Sequence, residues 1–189
     1  MENGVLIFCD KTQEWMIDWW YENYSKYNNF PVCLIDIGLS NDFIKSHREI
    51  FIIKRFDKPA KLIHKKSWFY KPFVLQCTPF DKTIAIDVDC EIKGSISLLF
   101  EYKSFAITKD IFNKYDNNDN PMNTGVIVYS KNSDVLKRWG DIILNNIDLY
   151  HSDQDAFNSM NIKHEEFPIE YNWVRLRGNN DNAIIFHHT

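Results

Sequence analysis

Glycine is scarce in this chain, six residues in 189, and neither G-x-G-x-x-G nor G-x-x-x-x-G-K-[ST] occurs. That absence excludes the common glycine-rich loops that cradle nucleotide phosphates. Cysteine is limited to Cys9, Cys33, Cys77 and Cys90, far apart and with no C-x-x-C pair. Three of them sit in or beside apolar runs, where thiols serve as small hydrophobes, so the simplest expectation is a reduced, intracellular protein. There is no excess of positive charge: 22 Lys and Arg face 26 Asp and Glu, and the basic residues are scattered. Proteins that bind nucleic acid carry a basic patch or stripe, so no nucleic-acid partner is expected. No apolar run approaches the roughly 18 residues of a membrane span. The opening M-E-N-G-V-L-I-F lacks the basic region of a signal peptide, and its apolar stretch is too short for one. The expectation is a cytoplasmic protein without a membrane span; the oligomeric state is not legible.

What is present is apolar and aromatic. Hydrophobic residues make up 44% of the chain and charged residues 25%, and there are six Trp, nine Tyr and fourteen Phe. This is the profile of a globular protein large enough to bury a core, and most of the aromatic rings belong there. With no repeat and no Pro/Gly/Ser linker, residues 1–189 are read as one domain. The polar D-N-N-D-N-P at 116–121 reads as a surface turn.

Apolar runs alternate with amphipathic segments. V-L-I-F-C (5–9), V-C-L-I-D-I (32–37) and E-I-F-I-I (49–53) read as strands. Thr12 suits the cap of a helix that turns Trp15, Ile17, Trp19 and Trp20 inward. A helix over 59–77, bent at Pro72, leads to the strand T-I-A-I-D-V-D, and S-I-S-L-L-F-E (95–101) reads as another strand. G-V-I-V-Y-S (125–130) is a strand followed by a helix over 133–148, with Val135, Leu136, Trp139, Ile142 and Ile143 at helical spacing. A short helix at 153–160 precedes strands near 165–169 and 183–187. The alternation predicts an α/β sandwich around a mostly parallel sheet. Ligands of such sheets sit at the carboxyl ends of strands, where Asp10, Asp87, Asp89 and His187 would meet if their strands are neighbours.

Asp87 and Asp89 end an apolar strand as D-V-D. Two such carboxylates suit a hard divalent cation, Mn²⁺ or Mg²⁺, that shares its remaining positions with phosphate oxygens. The alternative is a loop in which both acids face water. Three stretches follow in order: N-T-G-V-I-V-Y-S (123–130), S-D-Q-D-A-F-N (152–158) and I-I-F-H-H-T (184–189). Each sets small or polar hydrogen-bonding groups at the mouth of a strand or helix.

A D-x-D, then N-[AST]-G before an apolar strand, then D-Q-D-x-x-N, then a late histidine resembles the nucleotide-sugar glycosyltransferases of the GT-A fold. Glycosyltransferase family 8 and its relatives are the most similar, and the resemblance runs from about residue 5 to 188. It implies a GT-A-like, Rossmann-like α/β/α sandwich and a metal-dependent hexosyltransferase with a UDP-sugar donor and a glycan or other hydroxyl acceptor, with retention of configuration. Asp87 and Asp89, with His187 or His188, would hold Mn²⁺ (or Mg²⁺) against the donor diphosphate. Asp10, Cys9 and Val88 would lie by the nucleotide, and Lys71 would be the basic residue that helps to hold it. Asn123, Thr124 and Gly125 would contact the donor sugar, and Asp153 and Gln154 would face the sugar and the reacting carbon.

The chain departs from the family where an H-x-x-G-x-x-K-P-W stretch is expected, since it stops at His188 and Thr189. Plainer roles stand beside each assignment. His187 and His188 would be a frayed end, Asn123 a turn cap, Lys71 a surface lysine and Ser152–Asp153 a helix N-terminus. Two other functions fit some of the same letters. One is a haloacid-dehalogenase-type phosphohydrolase using the Asp of I-A-I-D-V-D or I-F-C-D-K-T, the other a non-catalytic nucleotide-sugar-binding domain.

Overall fold

The computed structural model describes residues 2–110 and 121–188; most of the polar turn expected at 116–121 lies outside them. The chain runs β1 (Asn3–Cys9), α1 (Ile17–Ser25), β2 (Val32–Asp36), α2 (Asn41–His47), β3 (Ile52–Arg55), α3 (Lys71–Leu75), β4 (Lys82–Ile86) and β5 (Cys90–Ile92). It continues through β6 (Ala106–Lys109), β7 (Met122–Ser130), α4 (Asp134–Asn146), α5 (Asp153–Asn158), β8 (Glu165–Glu166), β9 (Trp173–Val174) and β10 (Ile185–His187). Seven strands form the main sheet in the order β3-β2-β1-β4-β7-β6-β8, and β5-β10-β9 form a small second sheet. Among the described residues only β7 runs against its main-sheet neighbours, so the expected mostly parallel α/β architecture is the one observed.

The strands form because their apolar residues alternate in depth as well as in sequence. Val5, Ile7 and Cys9 of β1, Val32 and Leu34 of β2, Ile84 and Ile86 of β4, and Val126 and Val128 of β7 face one core, which α1 closes with Ile17, Trp20 and Tyr24. Leu6, Cys33, Ile35, Ala85, Ile127 and Tyr129 face the other, closed by α3, α4 and α5 through Val74, Trp139 and Phe157. A strand covered on both faces must be apolar at both parities, which is why these runs are nearly unbroken.

Several expected elements differ. The long helix over 59–77 is instead two 3-10 turns, Ala60–Leu62 and Ser67–Tyr70, leading into the five-residue α3. The prolines explain part of this: Pro59 stands outside the first turn in extended backbone, and Pro72 occupies the first turn of α3, where no N–H is needed. The strand expected at 95–101 is a 3-10 helix, Ser97–Glu101. With Ile96 at its cap, it buries Leu99, three residues on, and Phe100, and exposes Leu98, which a strand would have turned the same way as Ile96. Thr12 caps no helix; a 3-10 turn at Glu14–Met16 precedes α1, and the Thr12 hydroxyl donates to Asp10 Oδ1. β3 begins at Ile52 rather than 49, β8 ends at Glu166, and α2, with Ser40 as its cap, was not anticipated.

Candidate functional site

One edge of the main sheet gathers most of the polar groups singled out in the sequence. β4 ends at Ile86, and Asp87-Val88-Asp89 turns the chain into β5, the Cys90 N–H donating to the Asp87 carbonyl. Because β7 is antiparallel to β4, its first residues lie beside the last of β4. The Asp87 N–H donates to the Gly125 carbonyl at 2.9 Å. The same reversal puts Asn123 opposite Thr108, so that Asp110, just past β6, stands at this edge as well. β10 enters through the second sheet, His187 pairing with Cys90. Asp87, Asp89, Lys71, Asn123, Thr124, Gly125, Asp153, Gln154 and His187 thus line one cleft of about 830 Å³.

Lys71 is the one Lys or Arg that lines this cleft among the described residues, and it is buried rather than a surface group. Its Nζ donates to Asp87 Oδ2 at 2.7 Å and to the Thr124 carbonyl at 3.1 Å, and lies 3.8 Å from Asp153 Oδ2. Burial works against the ammonium, but the Asp87 and Asp153 charges outweigh it and hold Lys71 protonated. The carboxylates fare differently because two of them share one cation. Burial raises both Asp87 and Asp153 above the ordinary carboxylate range, and Lys71 offsets this only in part. At Asp89 burial works in the same direction, yet a protonated His187 ring and the Lys71 charge hold its carboxyl below the ordinary value.

Asp89 Oδ1 and His187 Nε2 are 3.3 Å apart. The pair is not aligned for a hydrogen bond, and the buried Nε2 has no hydrogen-bond partner among the described residues. Asp89, Cys90 and His187 are the one group of three metal-ligating side chains that converge among the described residues, their ligand atoms within 4.8 Å of one another. Cys90 is an unsuitable member: burial first, then the Asp89 and Asp87 charges, push its thiol well above its ordinary value. Asp87 is not in this group, its Oδ2 being taken by Lys71. The ring of His187 needs the space above Gly125. A Cβ there would fall 2.5 Å from His187 Nδ1 and 2.9 Å from Asn123 Oδ1, so the glycine is required by close approach.

A web of amides closes the other side. Asp110 Oδ2 accepts from Asn123 Nδ2 at 3.2 Å and from Gln154 Nε2 at 3.0 Å. Gln154 Oε1 accepts from the Thr124 N–H at 3.1 Å, and Asp153 Oδ2 accepts from the Thr124 hydroxyl at 3.2 Å. Asp153 and Gln154 sit in the first turn of α5 beneath a capping box formed by Ser152 and Asp155. The D-Q-D stretch therefore caps a helix and lines the cleft at once.

Other expected positions lie elsewhere. His188 does not line the cleft; its Nε2 lies 3.2 Å from Glu91 Oε2 and its ring meets Trp19 edge-on. Of the two histidines, His187 is the one whose ring faces the Asp89 carboxylate, while His188 meets Asp89 through its backbone N–H, which donates to the Asp89 carbonyl at 3.0 Å. The side chain of Cys9 is in the core, with no exposed thiol to offer a ligand. Asp10, whose Oδ1 accepts from the N–H and hydroxyl of Thr12, is not among the cleft-lining residues. Val88 lines the cleft, though its side chain is almost wholly buried. Sequence reasoning missed Asp110 and Asn172. Asp110 would have followed from placing a strand at 106–109 instead of 95–101, whereas Asn172, between Tyr171 and Trp173, carries no local signal.

No protein-family model matches the chain, and no curated protein matches it in sequence. Solved structures match it throughout, and they define its fold as GT-A-like, that of a class of glycosyltransferases. An active-site mutant of LgtC superposes with a TM-score of 0.75 over 98% of this chain and 86% of its own, at 11% identity. LgtC, a galactosyltransferase, has also been solved with donor and acceptor sugar analogues, and that structure matches with a TM-score of 0.72. The glycosyltransferase GlyE of Streptococcus pneumoniae TIGR4 matches at 0.71 and 16% identity over all of this chain, which spans 55% of GlyE. The bifunctional glycosyltransferase WbbM matches at 0.67, with 46% of its length covered. The fit to LgtC agrees with the resemblance drawn from the D-x-D, N-T-G, D-Q-D and terminal-histidine stretches.

Proposed function

We propose that this chain is a metal-dependent hexosyltransferase that moves a sugar from a nucleotide-sugar donor to a hydroxyl group of a glycan or other acceptor. A UDP-sugar is the first donor to test, and retention of configuration is the expectation carried by the family-8 resemblance. The observation that supports this most is the convergence of Asp87, Asp89, His187, Lys71, Asn123 and Gln154 on one cleft at the strand ends. LgtC, which has the same fold, has been crystallised with both donor and acceptor sugar analogues.

The residues present fit a divalent cation of the Mn²⁺ or Mg²⁺ kind. His187 presents a buried nitrogen without a hydrogen-bond partner among the described residues, Asp89 is held ionised beside it, and Asp87, Asp153 and Asp89 around the single Lys71 leave the cleft with surplus negative charge. Asp89 and His187 would hold the ion, with Asp87, outside that converging group and paired through Oδ2 to Lys71, as a further carboxylate beside it. When bound, it supplies Lewis-acid stabilisation of the charge on a departing diphosphate. Lys71 fixes Asp87 and the Thr124 backbone and adds the cleft's one permanent positive charge among the described residues. Gln154 is tethered at both ends of its amide, so its orientation towards a sugar is set before the substrate arrives. Asp153 and Gln154 would steady positive charge developing at the anomeric carbon, which is electrostatic pre-organisation.

The phosphohydrolase reading loses support, because Asp10 is tied to Thr12 outside the cleft and Asp87 is paired with Lys71. Turnover decides between a transferase and a non-catalytic binder. In the presence of Mn²⁺, a panel of UDP- and GDP-sugars should include one that the protein hydrolyses slowly without acceptor. Gln154→Ala and Asp153→Asn should each lower that rate by about 10²-fold or more. Binding of the nucleotide with no release of sugar from any member of the panel would favour the non-catalytic alternative.

A further inference from the structure

Asn172 is wholly buried, is the last residue of the 3-10 turn Ile169–Asn172 just before β9, and touches two residues of the cleft from behind. Its Nδ2 donates to Asn123 Oδ1 at 2.7 Å, and its Oδ1 lies 3.0 Å from His187 Nδ1. We infer that Asn172 is a positioning residue that fixes His187 as the tautomer protonated on Nδ1, leaving the Nε2 lone pair directed at Asp89 and the cation site.

The assignment follows outward from a donor whose identity is not in question. The backbone N–H of Gly125 can only donate, and it meets Asn123 Oδ1 at 2.9 Å, so that atom is the carbonyl oxygen. The other end of the Asn123 amide faces Asp110 Oδ2, which as a carboxylate can only accept. An oxygen that already accepts from Gly125 requires a second donor from Asn172, and this makes the Asn172 nitrogen the atom facing Asn123. The carbonyl of Asn172 is thereby turned to His187, where it accepts a proton only if Nδ1 carries one. In the neutral ring the remaining nitrogen, Nε2, is then a lone-pair donor. That is the atom with no hydrogen-bond partner, 3.3 Å from Asp89 Oδ1. A histidine ligand generally needs its second nitrogen held in this way, and loss of the holding group weakens metal binding about 10–100-fold. The same chain of bonds joins Asn123 to His187, so the sugar-side amide and the metal-side imidazole are fixed by one residue. The tautomer itself depends only on the hydrogen-bond chain; its purpose rests on the cation site proposed above.

The test reads the ring directly. Long-range ¹H–¹⁵N correlation spectra of the full chain with chelator present, at a pH where the ring is neutral, should show His187 Nδ1 with the pyrrole-type shift and Nε2 with the pyridine-type shift. His187→Gln supplies the assignment. The opposite pattern in the wild-type chain overturns the inference, and this arm needs no Asn172 variant to fold. Asn172→Asp keeps an acceptor for Nδ1–H and should keep the tautomer, whereas Asn172→Leu should lose it and weaken Mn²⁺ binding about 10–100-fold by titration calorimetry. A folded Asn172→Leu with an unchanged ring spectrum overturns the role of Asn172. An unchanged spectrum is distinguishable from failure of the metal reading, which would show as absence of Mn²⁺ binding in a wild-type chain whose tautomer is as described.

Discussion

Lys71 carries the largest electrostatic consequence of any single side chain in the cleft. It is buried, and it faces Asp87 at 2.7 Å and Asp153 at 3.8 Å, so neither carboxylate has another lysine or arginine ion-paired with it among the described residues. Removing one partner of a buried ion pair typically costs about 3–5 kcal/mol, because the charge left behind remains desolvated. Lys71→Met keeps most of the side-chain volume and removes the charge. Urea unfolding at neutral pH should show a loss of that size; a loss below about 1 kcal/mol, the scale of exposed pairs, would contradict a buried salt bridge. The sequence did not reveal this residue's surroundings. W-F-Y-K-P-F reads as an apolar segment with one lysine, and its burial depends on where the 3-10 turn Ser67–Tyr70 gives way to α3, since Lys71 opens that helix and reaches the end of β4, a contact made across 16 residues.

The paired strands β1 and β2 hold Cys9 and Cys33 in opposite cores, and both thiols respond to pH in the same way. Burial, with the nearby Asp10 adding to it at Cys9, pushes each from an ordinary 9.0 up to about 12. The sign follows from linkage. The folded chain keeps these thiols protonated where the unfolded chain ionises them, so their contribution is intact below 9.0 and is lost as the pH rises towards about 12. Each group can contribute at most about 1.4 kcal/mol per pH unit to that fall. Cys33→Ala should therefore flatten the alkaline limb of a plot of unfolding free energy against pH, and an unchanged slope would show that Cys33 is ionised equally in both states. These two strands were also the most legible elements, since strands buried on both faces are unbroken apolar runs. Period misled where it was short. Ile96, Leu98 and Phe100 suggest a strand by alternation, but Ile96, Leu99 and Phe100 are the buried set, and five residues cannot separate a period of two from one of three.

At the scale of the whole molecule, the reversal of β7 does the most to build the site. By running antiparallel to β4, it brings the N-T-G near its start onto the D-V-D that follows β4, and β10 closes the assembly from a second sheet. The motifs were readable as local strings because each needs particular side chains in a row. Asp110, Asn172 and the choice of His187 over His188 were not, since they depend on which strand pairs with which: His187 faces inward because it pairs with Cys90, and its neighbour on the chain turns out to Glu91. The central claim is that this edge binds a divalent cation together with a nucleoside diphosphate. Thermal unfolding with Mn²⁺, UDP and both together tests it most directly. The melting temperature should rise more with both than the two separate effects predict, and Asp89→Asn should abolish that joint rise while leaving the unliganded fold intact. A joint rise that survives Asp89→Asn would mean that the D-V-D turn is not the metal site, and the account would be wrong.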